Sequence, residues 1–419
     1  MTESAADSFK SQNSSSWVIK ATLLLASTLT VMSGATISPS LPAMQTHFTE
    51  VANSEFWVRL VLTVPALFIV IGSPIAGQIV DSLGRKPLLL GSAILYGLAG
   101  SSGFWLDSLF AILAGRALLG LAVAGVMVSA TTLIADYYQG DARANFMGLQ
   151  AAFMGFGGVL FLSVGGFIAD LSWRFPFLIY LFSWLLIPTI FFALYEPDRN
   201  QSDTDQSNKR ESVSSADSAD APNASFPVKL LVLVYGAALL QQIVFYLIPV
   251  QMPFYLEQLT GAGATQTGLA IALATLFSAF ASMSYGKLKQ RFSFIGILAI
   301  TFGLMGVGYM GIGLVSSYWL MLLVLIPVGI GLGFIMPNLN VWASNEVPDA
   351  LRGRALGGLT TFMFLGQFLS PIASGPVSGS FGLTATYGLA GVLLCVVAAI
   401  LATSKKQICH LISSQVGQT

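Results

Sequence analysis

Long unbroken apolar runs, rather than alternation, set the pattern of this chain. Twelve of them lie at approximately 17–39, 56–80, 87–105, 109–135, 144–169, 174–195, 228–253, 267–286, 293–315, 318–343, 353–377 and 383–403. Each can cross a bilayer core of about 30 Å as a helix rising about 1.5 Å per residue. Lipid offers the backbone no hydrogen-bond partner, so a spanning chain must be helical or a closed barrel. Continuous runs favour helices. Between the sixth and seventh runs, Pro197 to Phe226 is rich in Ser, Asp and Asn and nearly free of large apolar residues. Such a segment cannot bury enough surface to fold, and it reads as a hydrophilic linker. The expected organisation is a six-helix bundle over 1–195, a cytoplasmic linker over 196–227, a second six-helix bundle over 228–403 and a cytoplasmic tail over 404–419. The first sixteen residues are polar with a single basic residue, Lys10, and the run after them is too long for a signal-peptide core. It reads as a retained first helix.

Composition agrees with the pattern. The chain is 55% hydrophobic and 9% charged, where soluble domains carry about a quarter charged residues. A formal net charge of zero gives no pull towards nucleic acid. Cys395 and Cys409 are the only cysteines, too few for a disulfide framework, and no metal-ligand spacing is visible. Twelve spans put both termini on one side, and the basic residues choose that side. With the termini inside, about sixteen Lys and Arg fall in cytoplasmic segments, against two outside, Arg59 and Arg174, and one within a span. Trp57, Trp105, Trp173 and Trp319 then mark outer helix ends and Trp17 an inner one, as an interfacial belt requires. The setting implied is a cell membrane, plasma or bacterial inner, crossed many times.

The halves match at a constant offset of 209 positions: Gly77 with Gly286, Gly120 with Gly329, Arg143 with Arg352, Gly148 with Gly357, Gly157 with Gly366 and Gly166 with Gly375. An internal duplication explains these pairs. The fold class expected is an all-α membrane protein of twelve transmembrane helices in two pseudo-symmetric six-helix bundles joined by a hydrophilic loop.

One loop concentrates charge. GQIVDSLGRK, from Gly77 to Lys86, packs Asp81, Arg85, Lys86 and two glycines between the second and third runs. It resembles the signature loop of the major facilitator superfamily, commonly written G-x-L-x-D-R-x-G-R-K; Gly77, Asp81, Gly84, Arg85 and Lys86 match, and Ser82 departs. The second-half counterpart from Gly286 keeps Arg291 but has Gln290 at the Asp position, and RALLG from Arg116 resembles the family's helix 4 signature. Gly77 would let the second helix approach a neighbour closely, and Gly84 would permit a tight turn before Pro87. Asp81 can accept a charge-assisted bond from Arg143 or sit at a helix N-terminus of the other half. The resemblance implies a conformational latch on the cytoplasmic side made of Gly77, Asp81, Gly84, Arg85, Lys86 and Arg143.

Arg116 is the one charged residue well inside a predicted span, and no Asp or Glu lies in a span interior. An Arg at a helix centre costs about 2.5–3.5 kcal/mol on insertion scales, so it should face a polar cavity or carbonyl, hydroxyl, amide, water or anionic partners. Polar and small residues recur on one face of the fourth run at Arg116, Gly120, Ala124, Met127 and Thr131, and on the first run at Thr30, Ser33, Thr36 and Ser40. Such stripes also serve plain helix packing. The resemblance implies that spans 1, 4, 7 and 10 line a central cavity. That selects Ser33, Thr36, Arg116, Met127, Gln241, Gln242, Tyr246, Asn338 and Trp342 as substrate-binding residues.

By the same resemblance the chain looks like the multidrug-efflux, drug and proton antiporter branch. Two positions depart from it: Ser33 stands where many relatives carry an Asp, and FLSVGG, Phe161 to Gly166, keeps only the last two glycines of the antiporter motif G-P-x-x-G-G. The implied function is alternating-access export of a small amphipathic or anionic molecule, a drug or secreted metabolite, by a monomer in the bilayer with the proton as coupling ion. The alternative is an importer of a sugar or organic acid on the same fold. No nucleophile–base pair, phosphate loop, metal cluster or cofactor motif points to an enzyme, and His47 and His410 both fall outside the spans.

Overall fold

The computed structural model describes residues 17–196 and 227–404. The body of the predicted linker, the tail with Cys409 and His410, and the first sixteen residues lie outside them. Helices follow the apolar runs closely: α1 Trp17–His47, α2 Ser54–Leu83, α3 Arg85–Trp105, α4 Leu109–Tyr137, α5 Gly140–Ala169, α6 Phe175–Ala193, α7 Val228–Thr260, α8 Ala264–Lys289, α9 Phe294–Ile312 and α10 Tyr318–Glu346. The final helical stretch, Asp349–Thr403, holds two spans. Gly382 sits at φ 79° and ψ 171°, a conformation closed to other residues, and divides it into α11 (349–381) and α12 (383–403).

Three spans are irregular, each at prolines. α1 tightens to a 3-10 turn at Ser38–Ser40 around Pro39. α6 opens as a 3-10 stretch, Phe175–Leu181, with Pro176 in its first turn, and Pro188 starts its last piece. α7 breaks at Tyr246, where Pro249 removes the donor that Phe245 would have served. The irregular α6 nonetheless lies tightly on α3. A Cβ placed on Gly97, Gly100 or Gly103 would stand 2.2, 2.4 or 2.2 Å from Trp184, Tyr180 or Phe177.

The duplication read from sequence is present in the packing. α2 lies along α4 and α3 along α4, as α8 lies along α10 and α9 along α10. A Cβ on Gly120 would be 2.4 Å from the Pro65 carbonyl, and one on Gly329 would be 2.3 Å from the Ala274 carbonyl. Both members of that pair are displaced by the same 209 positions. The halves meet along two seams, α5 against α8 and α2 against α11.

The seams close towards one face only. We term the face where α1 starts and α12 ends the terminal face. At the opposite face Gly166 packs on Ala264 and Gly268, and Gly165 on the Thr36 carbonyl. Towards the terminal face, a Cβ on Gly77, Gly148, Gly286 or Gly357 would meet nothing within 4 Å. The close helix approach expected at Gly77 is therefore not made, because the halves are splayed there.

Candidate functional site

Two cavities follow from this splay. The first, about 250 Å³, sits midway along the spans and is lined from both halves, with Ser33, Met154, Tyr246, Thr275, Phe364 and Gln367 among its walls. The second, about 570 Å³, lies nearer the terminal face between α2, α4 and α11, with Ser73, Met127, Thr131, Thr132, Thr360 and Thr361 in its lining, and it shares Phe364 with the first. Phe364 lines both, so the two adjoin, and we term them the chamber.

The lining chemistry is neutral. The hydroxyls of Ser33, Ser73, Thr131, Thr132, Thr275, Thr360 and Thr361 each donate to a carbonyl three or four residues earlier in their own helix, at 2.7–3.0 Å. Their protons are spent and their lone pairs remain, so the walls offer acceptors more than donors. Pro74 and Pro371 add to this, because each leaves the carbonyl four residues earlier, of Val70 and Gln367, without its helical donor. Val70 and Gln367 both line the chamber.

Of the residues singled out in sequence, Ser33, Met127 and Tyr246 line this chamber. Gly34 makes room for the Tyr246 hydroxyl, which would lie 2.8 Å from a Cβ there. The others lie elsewhere. Thr36 is buried and donates to the Met32 carbonyl at 2.7 Å. Gln241 and Gln242 are buried outside the lining. Asn338 donates to the Phe294 carbonyl at 3.0 Å, and Trp342 stacks on the Phe294 ring at 5.6 Å. These are contacts within the second half.

Arg116 is wholly buried and faces inward to its own half. Its Nε donates to the Val61 carbonyl at 3.0 Å and its Nη2 to the Ser33 carbonyl at 2.7 Å. The guanidinium lies 5.0 Å from the Tyr180 ring centre. Sequence reasoning overlooked the contribution of α8 and α11, because neither stripe of hydroxyls there was weighed.

The charged loop is pinned to its own half. Gly84 takes φ 103°, and a Cβ on it would stand 2.5 Å from Oε1 of Glu196. That carboxylate accepts from the backbone N–H groups of Arg85 and Lys86 at 2.7 and 2.8 Å, capping α3 where it starts. The Arg85 side chain pairs with Asp136 at 3.1 Å, and the Lys86 ammonium donates to the Phe191 carbonyl at 2.8 Å. Asp81 and Arg143 are exposed, and among the described residues neither bonds to the other. Glu196 had no signal beyond being the first residue of the expected linker.

The opposite face is clasped across both seams. Arg59, counted above among outer basic residues, is only 5% exposed. It pairs with Glu55 one turn away, donates to the Ser378 hydroxyl of α11 at 3.1 Å and lies 5.4 Å from the Phe254 ring centre of α7. On the other seam, Asp170 at the end of α5 accepts from the backbone N–H groups of Ala264 and Thr265 at 2.8 and 3.1 Å and from the Thr265 hydroxyl. Ser38 of α1 donates to the Pro249 carbonyl of α7.

The chain is 26% identical over 343 residues to tetracycline resistance protein, class E, of Escherichia coli, covering 80% of this chain and 82% of that protein. It is 30% identical over 195 residues to multidrug resistance protein MdtG of Escherichia coli O6:K15:H31, covering 43% and 47%. Among solved structures it resembles a D-xylose–proton symporter, with TM-score 0.74 at 18% identity over 92% of this chain and 97% of that one. A bacterial homologue of the lysosomal transporter Spinster, inward-facing and occupied, gives TM-score 0.73 at 18% identity over 93% and 96%. At such identities these structures establish the fold. The family model described as Major Facilitator Superfamily matches residues 23–259 and 234–407, and with a duplicated twelve-helix body around a central chamber, this chain belongs to that superfamily.

Proposed function

We propose that the protein is a secondary active exporter of small amphipathic molecules, captured here open to the cytoplasm. The observation that carries this reading is the chamber itself: apolar walls, a ring of hydroxyl and carbonyl acceptors, and contributions from both halves. Its ligands would be largely apolar molecules carrying hydrogen-bond donors, oriented by several neutral bonds. The anionic reading stood on Arg116, two of whose three guanidinium nitrogens are committed to backbone carbonyls inside its own half. The efflux proteins among its relatives support export over import. In this reading the N-terminal bundle ends at 195, the second begins at 228, and the basic residues hold both termini and the linker on the cytoplasmic side of the inner membrane. Met127, Ser33 and Tyr246 contact the ligand, and Asp81, with Arg143 beside it in the same half, latches the terminal face against the second half when it closes. Proton exchange supplies the energy through carboxylates at the faces, since among the described residues the chamber lining has none.

Accumulation of an amphipathic amine dye in cells, with and without the protein, tests this. Expression should lower accumulation several-fold, and Phe364→Ala or Tyr246→Ala should abolish that effect at equal protein level. Unchanged accumulation across a panel of amphipathic dyes, with none taken up by everted vesicles, would overturn it.

A further inference from the structure

α8 begins without a cap of its own. Its N-cap position is Gly263, which carries no side-chain oxygen, so its first N–H groups need partners from elsewhere. The other half supplies them: both Asp170 oxygens accept from the backbone of Ala264 and Thr265, and the Thr265 hydroxyl donates as well. A Cβ on Gly263 would stand 3.1 Å from the Asp170 carboxylate, so a glycine there keeps the approach open. α11 is the other seam helix of the second half, and it too starts without a side-chain cap, after Pro348. Its start lies at the terminal face, where Asp81 at the end of α2 is exposed and, among the described residues, has no hydrogen-bond or ion-pair partner. At each seam one carboxylate of the first half stands at, or can reach, an uncapped helix start of the second: Asp170 where α5 meets the start of α8, Asp81 where α2 can meet the start of α11.

We infer that Asp170 is a positioning residue of the transport cycle, a latch of the opposite face that alternates with Asp81. The inference rests on the alternating access proposed above. A carboxylate bonded to free N–H groups at a helix start gains from charge-assisted bonds and from the helix dipole together. With the opposite face shut, that gain is made at Asp170 and forgone at Asp81. Rocking the halves exchanges one capped helix start for the other, so the two states stay close in free energy. Position 379, the internal-repeat counterpart of Asp170, is Gly379, and there the seam is clasped instead by Arg59 on Ser378.

The test is the distance between spin labels at Trp105→Cys and Leu314→Cys, exposed positions on the opposite face in different halves, with Cys395 and Cys409 replaced by Ser. Asp170→Ala should raise the open population of this face roughly tenfold relative to the closed one, the size of losing one charged cap. Asp170→Asn keeps one acceptor oxygen and should give a smaller shift in the same direction. Asp81→Ala should give no opening, or move the population further towards closed. An unchanged distribution in Asp170→Ala, or equal opening in Asp170→Ala and Asp81→Ala, would overturn the inference. Should Asp170→Ala fail to insert, Asp170→Asn and Thr265→Val carry the measurement, and closed distributions in both count against it. These distances are read without ligand, so failure of the export reading would show in dye accumulation and not here.

Discussion

At the residue scale, prolines explain where several polar side chains go. A proline inside a helix leaves the carbonyl four residues earlier without a donor, and in lipid that carbonyl must be served by something else. Pro65 frees the Val61 carbonyl, which takes Nε of Arg116. Pro253 frees the Pro249 carbonyl, which takes the Ser38 hydroxyl from the other half. Pro249 frees the Phe245 carbonyl, which the Tyr309 hydroxyl reaches at 3.5 Å while bonding Val244 at 2.7 Å. Arg116 also serves the Ser33 carbonyl near the end of α1's first helical stretch, so one side chain ties α1 and α2 to α4. Arg116→Ala strands the buried Val61 carbonyl at roughly 1–3 kcal/mol and leaves the Ser33 carbonyl with only the longer bond from the Tyr180 hydroxyl at 3.3 Å. A melting temperature lower by many degrees, with ligand range unchanged in the surviving folded fraction, is the expected outcome. An unaltered melting temperature with altered ligand selectivity would place the guanidinium in the chamber instead.

At the scale of elements, the start of α3 depends on Gly84 adopting φ 103° while Glu196 closes over it. Gly84→Ala meets two obstacles: a left-handed conformation costing about 1–2 kcal/mol, and a Cβ 2.5 Å from the capping carboxylate. It should lower thermal stability and slow proteolytic resistance to recover after heating, whereas Gly77→Ala, with nothing within 4 Å in this state, should leave the melting temperature unmoved. Gly77→Ala matters only when the terminal face closes, so its effect belongs in the turnover rate. All twelve spans were legible as apolar runs, since crossing lipid demands length and uninterrupted apolarity. The breaks in α6 and α7 were harder, because prolines are tolerated in membrane helices wherever a neighbour serves the freed carbonyl. The chamber was half legible for a related reason. Lipid-facing and core-facing side chains are equally apolar, as exposed Phe192 and Leu185 beside buried Ile190 illustrate, so periodicity cannot say which stripe faces inward. Ser33, Met127 and Tyr246 were found through their helices. Thr275, Thr360, Thr361 and Gln367 were not, because α8 and α11 join the chamber only through the way the halves meet.

At the scale of the whole molecule, the repeat makes two nearly equal bodies and the seams make them unequal. Gly166 is packed on the start of α8, while a Cβ on its repeat partner Gly375 would meet nothing within 4 Å. The α5–α8 seam is thus the tighter of the two at the closed face, and the α2–α11 seam relies on the Arg59 contacts. Splaying about the closed face exposes the chamber to the terminal side alone. Thr131, exposed in the second cavity, and Leu171, 69% exposed at the closed face, therefore report opposite compartments. In protein whose native cysteines are replaced by Ser, Thr131→Cys should react with a membrane-impermeant maleimide in everted vesicles far faster than in intact cells. Leu171→Cys should show the reverse preference, because it lies beyond the clasp formed by Asp170 and Arg59. Equal labelling of Thr131→Cys from both sides would mean that the opposite face is not shut at rest. A reversal of both preferences would place the termini outside the cell and turn the direction of transport around.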